Sequence, residues 1–102
     1  MIELRGTTSQ IEWAVLIRRQ VEIEFDRVEA SFCSVADKQS GSKRADTEAV
    51  IVILKEKRAE VLSNGHAGYF IRDWQDLSDQ VRQLIFKDPR YQVIKGNRPL
   101  AS

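Results

Sequence analysis

At 102 residues, with 42% hydrophobic and 30% charged side chains, the chain suits one globular domain and excludes the large enzyme folds. Sixteen Lys and Arg against fifteen Asp and Glu leave a net charge of +1, which excludes polyanion binding driven by overall charge. One Cys and one His exclude an internal disulfide and a Cys-rich zinc site, so no cofactor and no metal is expected.

The opening Met1-Ile2-Glu3-Leu4-Arg5-Gly6 has an acid at position 3 and no apolar run before Thr7. Ala49 to Leu54 is the longest apolar run, far short of the roughly 20 residues a membrane span needs. The expectation is a cytoplasmic protein with no membrane contact and a reduced Cys33.

Thr7 with Gln10 three residues later is a capping box, which predicts a helix over 8–36. Ala14, Ile17, Val21, Phe25, Val28, Phe32 and Val35 follow in steps of three and four and define its core stripe. The opposite face, with Glu12, Arg19, Glu22, Asp26 and Glu29, reads as solvated and net acidic. Leu16 and Ile23 lie on a second face, seven residues apart. They are read either as further core against a later helix or as the contact of a homodimer. Cys33 is expected to be a half-buried small hydrophobe, and Trp13 to be core.

Residues 37–46 carry no apolar anchor except Ala45 and predict a mobile loop. Val50-Ile51-Val52-Ile53 is β-branched, but Ala49, Val50, Ile53, Leu54, Val61 and Leu62 keep helical spacing, and good helix formers follow. A helix over 47–63 is predicted, ending at Asn64-Gly65 with Gly65 in a left-handed cap. His66 then either touches a helix C-terminus or lies exposed.

Phe70, Trp74, Leu77, Val81 and Leu84 give a third stripe, reinforced by Ile71 and Ile85, and predict a helix over 69–87, loosened near Asp76-Leu77-Ser78. Pro89 ends it. Residues 90–102 are expected to be a tail docked through Tyr91 and Val93 and frayed beyond Lys95. The expected architecture is all-α, an antiparallel three-helix bundle with a short C-terminal tail.

Little of this composition points to catalysis. Asp73, Asp76 and Asp79 stand three apart but lack further ligands and read as a solvated face. No nucleophile–base pair and no phosphate-cradling glycine sequence occurs, so a non-enzymatic protein is expected. Charge is uneven. Residues 8–37 hold six acids and three bases, whereas Lys87, Arg90, Lys95 and Arg98 near the C-terminus face only Asp88. Lys43, Arg44, Arg90, Tyr91, Lys95 and Arg98 are therefore the candidate partner-binding residues. They suit either a protein partner or, as flexible cations with one stackable ring, nucleic acid.

Gln10-Ile11-Glu12-Trp13-Ala14, continued by Ile17-Arg18, resembles a helix opening of small phage and mobile-element proteins, Gln-Ile-x-Trp-Ala-x-x-Ile-Arg. Ala67-Gly68-Tyr69-Phe70-Ile71-Arg72-Asp73-Trp74 is similar to a later aromatic-Ile-acid segment of those proteins, with Arg72 intervening between Ile71 and Asp73. The resemblance implies a phage or mobile-element origin. It also implies a mode of action by binding a host protein, as an inhibitor of the anti-CRISPR type does.

Overall fold

The computed structural model describes residues 3–96. Among them are five helices: α1 (Thr8–Asp37), α2 (Gly41–Leu62), α3 (Ala67–Asp73), α4 (Leu77–Phe86) and α5 (Pro89–Gly96). The fold is all-helical, as expected, but five helices stand where a three-helix bundle was predicted.

α1 is the spine. It starts where the capping box predicts, with the Gln10 N–H donating to Thr7 Oγ1 (3.2 Å) and the Thr7 N–H to Gln10 Oε1 (3.0 Å). At 1.5 Å per residue its 30 residues run about 45 Å, and they set the long axis of a 52 × 23 × 19 Å molecule. α2 folds back along it, and α3 and α4 cover a neighbouring flank. Ala14, Val21 and Phe25 of α1 are completely buried with Val50 and Leu54 of α2, Phe70 of α3, and Val81 and Ile85 of α4. The tilted rings of Phe25 and Trp74 lie 6.1 Å apart at their centroids within this core.

The predicted 37–46 loop is corrected to a three-residue connection followed by helix. Thr47 is buried, and its hydroxyl donates to Gln39 Oε1 (2.5 Å) with the Lys43 carbonyl 3.1 Å away, which ties the connection to the second turn of α2. Gly41 takes φ +62°, the left-handed turn that lets so short a connection reverse the chain. Val50 to Leu54 belong to α2, not to a strand. At the other end Ser63, in a right-handed conformation, caps α2, and Gly65 does not have the positive φ expected of it.

The predicted third helix is two helices. After Asp73 the chain leaves helical geometry at Trp74 and re-enters through Asp76. Gln80 secures the break: its amide donates to the Asp73 carbonyl, and its Oε1 accepts the Asp76 N–H at 2.8 Å. The break shifts the helical phase, so Ile85 is buried while Leu77 and Leu84 are only half-buried. The expected tail is helical over Pro89–Gly96, with Tyr91 half-buried and Val93 exposed.

Leu4 is buried ahead of α1. Beside it, the Arg5 N–H donates to the Gly65 carbonyl (2.7 Å) and the Arg5 carbonyl accepts from the Ala67 N–H (2.9 Å). Among the described residues no helix is long and apolar enough to cross a membrane.

Candidate functional site

Residues of a helix advance by about 100° each, so one side of α1 faces the core and the other faces away from every neighbouring helix. On the outward side Leu16 is 65% and Ile23 55% exposed, with Trp13 beside them at 59%. Leu16 and Ile23 are thus not additional core, and Trp13 is not core at all. Trp13 occupies the position next to Ala14, a full 100° off the buried stripe. Cys33 is likewise exposed rather than half-buried.

Further along α1, between that outward side and the core stripe, an apolar groove of about 200 Å³ opens between α1 and α4. Val28, Phe32 and Val35 form one wall, Ile85 and Phe86 the other, and Arg27 and Arg82 complete the lining. Val35 and Phe86 are partly exposed there. Arg27 grips Glu24 through Nε (2.9 and 3.1 Å) and Nη2 (2.5 Å). That hydrogen bonding, with Arg82 nearby, holds the Glu24 carboxyl below its ordinary range.

The face expected to be solvated is so at Glu12, Arg19 and Asp26, but Glu22 and Glu29 are half-buried and part of the face pairs with α2. Arg58 bonds Asp26 (3.1 Å) and Glu22 (3.3 Å), and Lys55 lies 3.6 Å from Glu29. These pairs fix how the two long helices lie together, and they leave fewer acids for a partner.

The candidate basic residues fall in two separate places. Lys43 and Arg44 lie in the first turns of α2, with Arg44 paired to Glu48 at 2.9 Å. Arg90, Tyr91 and Lys95 share α5, which meets α2 near Glu56, twelve residues beyond Arg44. The helical rise makes that separation about 18 Å. Arg98 lies outside the described residues. Tyr91 stacks obliquely on Phe86, with ring centroids 5.2 Å apart, and Lys95 is exposed.

Arg90 is committed to holding α5 in place. Asp88 is buried, and its Oδ1 accepts the Arg90 N–H (2.8 Å) and Nε (3.0 Å), while Oδ2 accepts Arg90 Nη2 (3.1 Å) and lies 3.2 Å from Lys57 Nζ. Arg90 also pairs with Glu56. Chiefly through the Arg90 guanidinium, and further through Lys57, the Asp88 carboxyl is held far below the usual carboxylate range. A wider concavity of about 410 Å³ beside this cluster is lined by Lys57, Tyr69, Asp73, Trp74, Leu84 and Lys87 among others.

His66 precedes α3 at its N-cap and accepts from Arg5 Nη2 at 3.2 Å. Asp73, Asp76 and Asp79 are exposed, and among the described residues no group of three or more His, Cys, Asp or Glu is placed to hold a metal ion. Comparison of the chain with family models, curated proteins and solved structures finds no match.

The groove escaped sequence reading because it exists only once α4 is set against α1. Its sequence trace was Val35 at the end of the first stripe and Ile85 one residue off the third.

Proposed function

We propose that this chain is a non-enzymatic protein-binding protein that acts by occupying a partner's surface. The supporting observation is the outer side of α1, where Trp13, Leu16 and Ile23 are each more than half exposed, with an apolar groove between α1 and α4 farther along the helix. A contiguous apolar strip marks an interaction surface far more often than scattered single residues do. Tryptophan is among the residues that dominate interface energetics, and arginine is another. The helix-opening resemblance adds the expectation of a phage or mobile-element protein whose partner belongs to the host, an anti-CRISPR-type inhibitor being one such case.

Affinity capture from the native host, with and without nuclease, tests this reading. A protein partner that survives nuclease and is lost with Trp13→Ala plus Leu16→Ala is the expected result. Capture abolished by nuclease, and weakened by Arg44→Ala plus Lys95→Ala, would replace it with a nucleic-acid accessory role. Such a contact would also fall steeply with salt, because neutralised phosphates release counterions.

A further inference from the structure

The groove between α1 and α4 is polarised along its length. Its charged lining residues are Arg27 and Arg82, and no acid lines it. Glu24 accepts three hydrogen bonds from Arg27, so the Arg27 charge is already matched within α1. Arg82 is exposed and makes no ion pair of its own among the described residues, yet it acts on the Glu24 carboxyl from a distance. The two guanidinium groups therefore share one end of the groove. Eight residues beyond Arg27, about 12 Å along α1, Val35 is partly exposed, as is Phe86 one turn past Arg82. Val28, Phe32 and Ile85 supply the apolar floor between.

We infer that this groove seats an acidic segment of the partner protein, in which one bulky apolar side chain lies on the Phe32 floor and a neighbouring carboxylate meets Arg82. The inference rests on the protein-binding reading above and names the chemistry of the partner's segment.

Size selects a partner's side chain over a free small molecule. Pockets that enclose drug-sized ligands run from about 300 Å³ upward, whereas an apolar cavity of about 150 Å³ takes benzene. At about 200 Å³ this groove suits one aromatic or branched side chain delivered by a longer chain. Charge selects the neighbour of that side chain. With Glu24 matched to Arg27, the lip keeps the positive charge of Arg82, and a guanidinium fork there can give two N–H groups to one carboxylate. Neutral or basic segments gain the apolar contact alone. Phosphates of a nucleic acid would engage Arg82 but offer nothing to the aliphatic floor.

Nuclear magnetic resonance titration of the isotope-labelled full chain tests this with two blocked tripeptides, acetyl-Glu-Phe-Glu-amide and its neutral counterpart acetyl-Gln-Phe-Gln-amide. The acidic peptide is expected to shift amides of residues 27–35 and 82–86 and to bind about fivefold more tightly than the neutral one, the scale of one exposed ion pair. Arg82→Gln should erase that preference while keeping the neutral peptide's affinity, and Val35→Glu should turn the acidic peptide away. Both positions are exposed, so helical circular dichroism should match wild type. No shift with either peptide, equal affinity for the two, shifts confined to another surface, or a preference that survives Arg82→Gln would overturn the inference. A single-stranded oligonucleotide that shifts these amides where the acidic peptide shifts none would overturn it as well. A host protein captured equally by wild type and by Arg82→Glu plus Val35→Glu, but lost with Trp13→Ala plus Leu16→Ala, would overturn it while leaving the protein-binding reading in place.

Discussion

On the inner side of α1, Ala14, Val21 and Phe25 are shut away from water, whereas on its outer side Trp13, Leu16 and Ile23, equally apolar, stand in solvent. The two sides differ in what covers them. α2 lies along one flank of α1, and α3 and α4 lie along the next, and among the described helices α5 packs on α2 and α4 rather than on α1. Hydrophobicity along a helix therefore reports what a residue can bury, and the lengths of the neighbouring helices decide what is buried. A helix of about 45 Å with three short or single partners keeps one apolar side in reserve.

Substitutions can break or sharpen this contrast. The largest effect is expected on the inner side. Phe25→Ala empties the space beside Trp74 and should cost about 3–5 kcal/mol, read from urea unfolding. That is a large part of the stability of a domain of this size. If Phe25→Ala cost no more than a surface change, the inner side would not be the core described.

Next in size is the turn between the long helices. Gly41→Ala should cost about 1 kcal/mol through its left-handed backbone alone, since an added Cβ meets nothing within 4 Å. Gly41→Asn should cost less, because asparagine tolerates that conformation, and the difference isolates backbone from packing.

The Asp88 cluster should show itself as a pH dependence. Its carboxyl titrates lower in the folded chain than in the unfolded one, so its contribution is full above the ordinary Asp value, about pH 4, and fades as the pH falls from there toward the depressed folded value. Thermal unfolding of wild type and Asp88→Asn should thus diverge at neutral pH and converge in acid. Divergence that persists unchanged in strong acid would remove the ion cluster as the cause.

The smallest effect belongs to the outer side. Leu16→Ala should alter monomer stability by less than about 0.5 kcal/mol, measured at concentrations too low for association. A larger loss would mean that the outer side is covered in the monomer after all.

Much of α1 was legible in the sequence, because a capping box and a stripe of three-and-four steps are local signals. Its second face is visible in the spacing of Leu16 and Ile23, but the spacing alone leaves it open between further core and a contact surface, and only the packing shows that it is uncovered. The connection was misread because residues 41–46 are polar, yet the buried Thr47 one turn later anchors them to Gln39. Asp88-Pro89 was read only as a stop. The same pair is a start signal, an Asp that accepts the Arg90 N–H followed by a proline whose missing donor costs nothing at a first helical position. The break between α3 and α4 has no glycine or proline to mark it, and the loosening expected near Asp76-Leu77-Ser78 falls just beyond its true place at residues 74–76. The break depends on Gln80 reaching back seven residues, which no local pattern reveals.

The short bridge between Arg5 and the α2–α3 connection joins parts of the chain 61 residues apart. Closing so long a loop is entropically slow, whereas the α1–α2 hairpin forms through neighbours across a three-residue turn. The N-terminal segment is thus expected to zip on last, as a clasp over an already assembled hairpin. Removing the buried Leu4 side chain should then hasten unfolding while leaving the refolding rate nearly unchanged. A protease that probes the native state would find its first opening there, at the end of the chain that was the last to arrive.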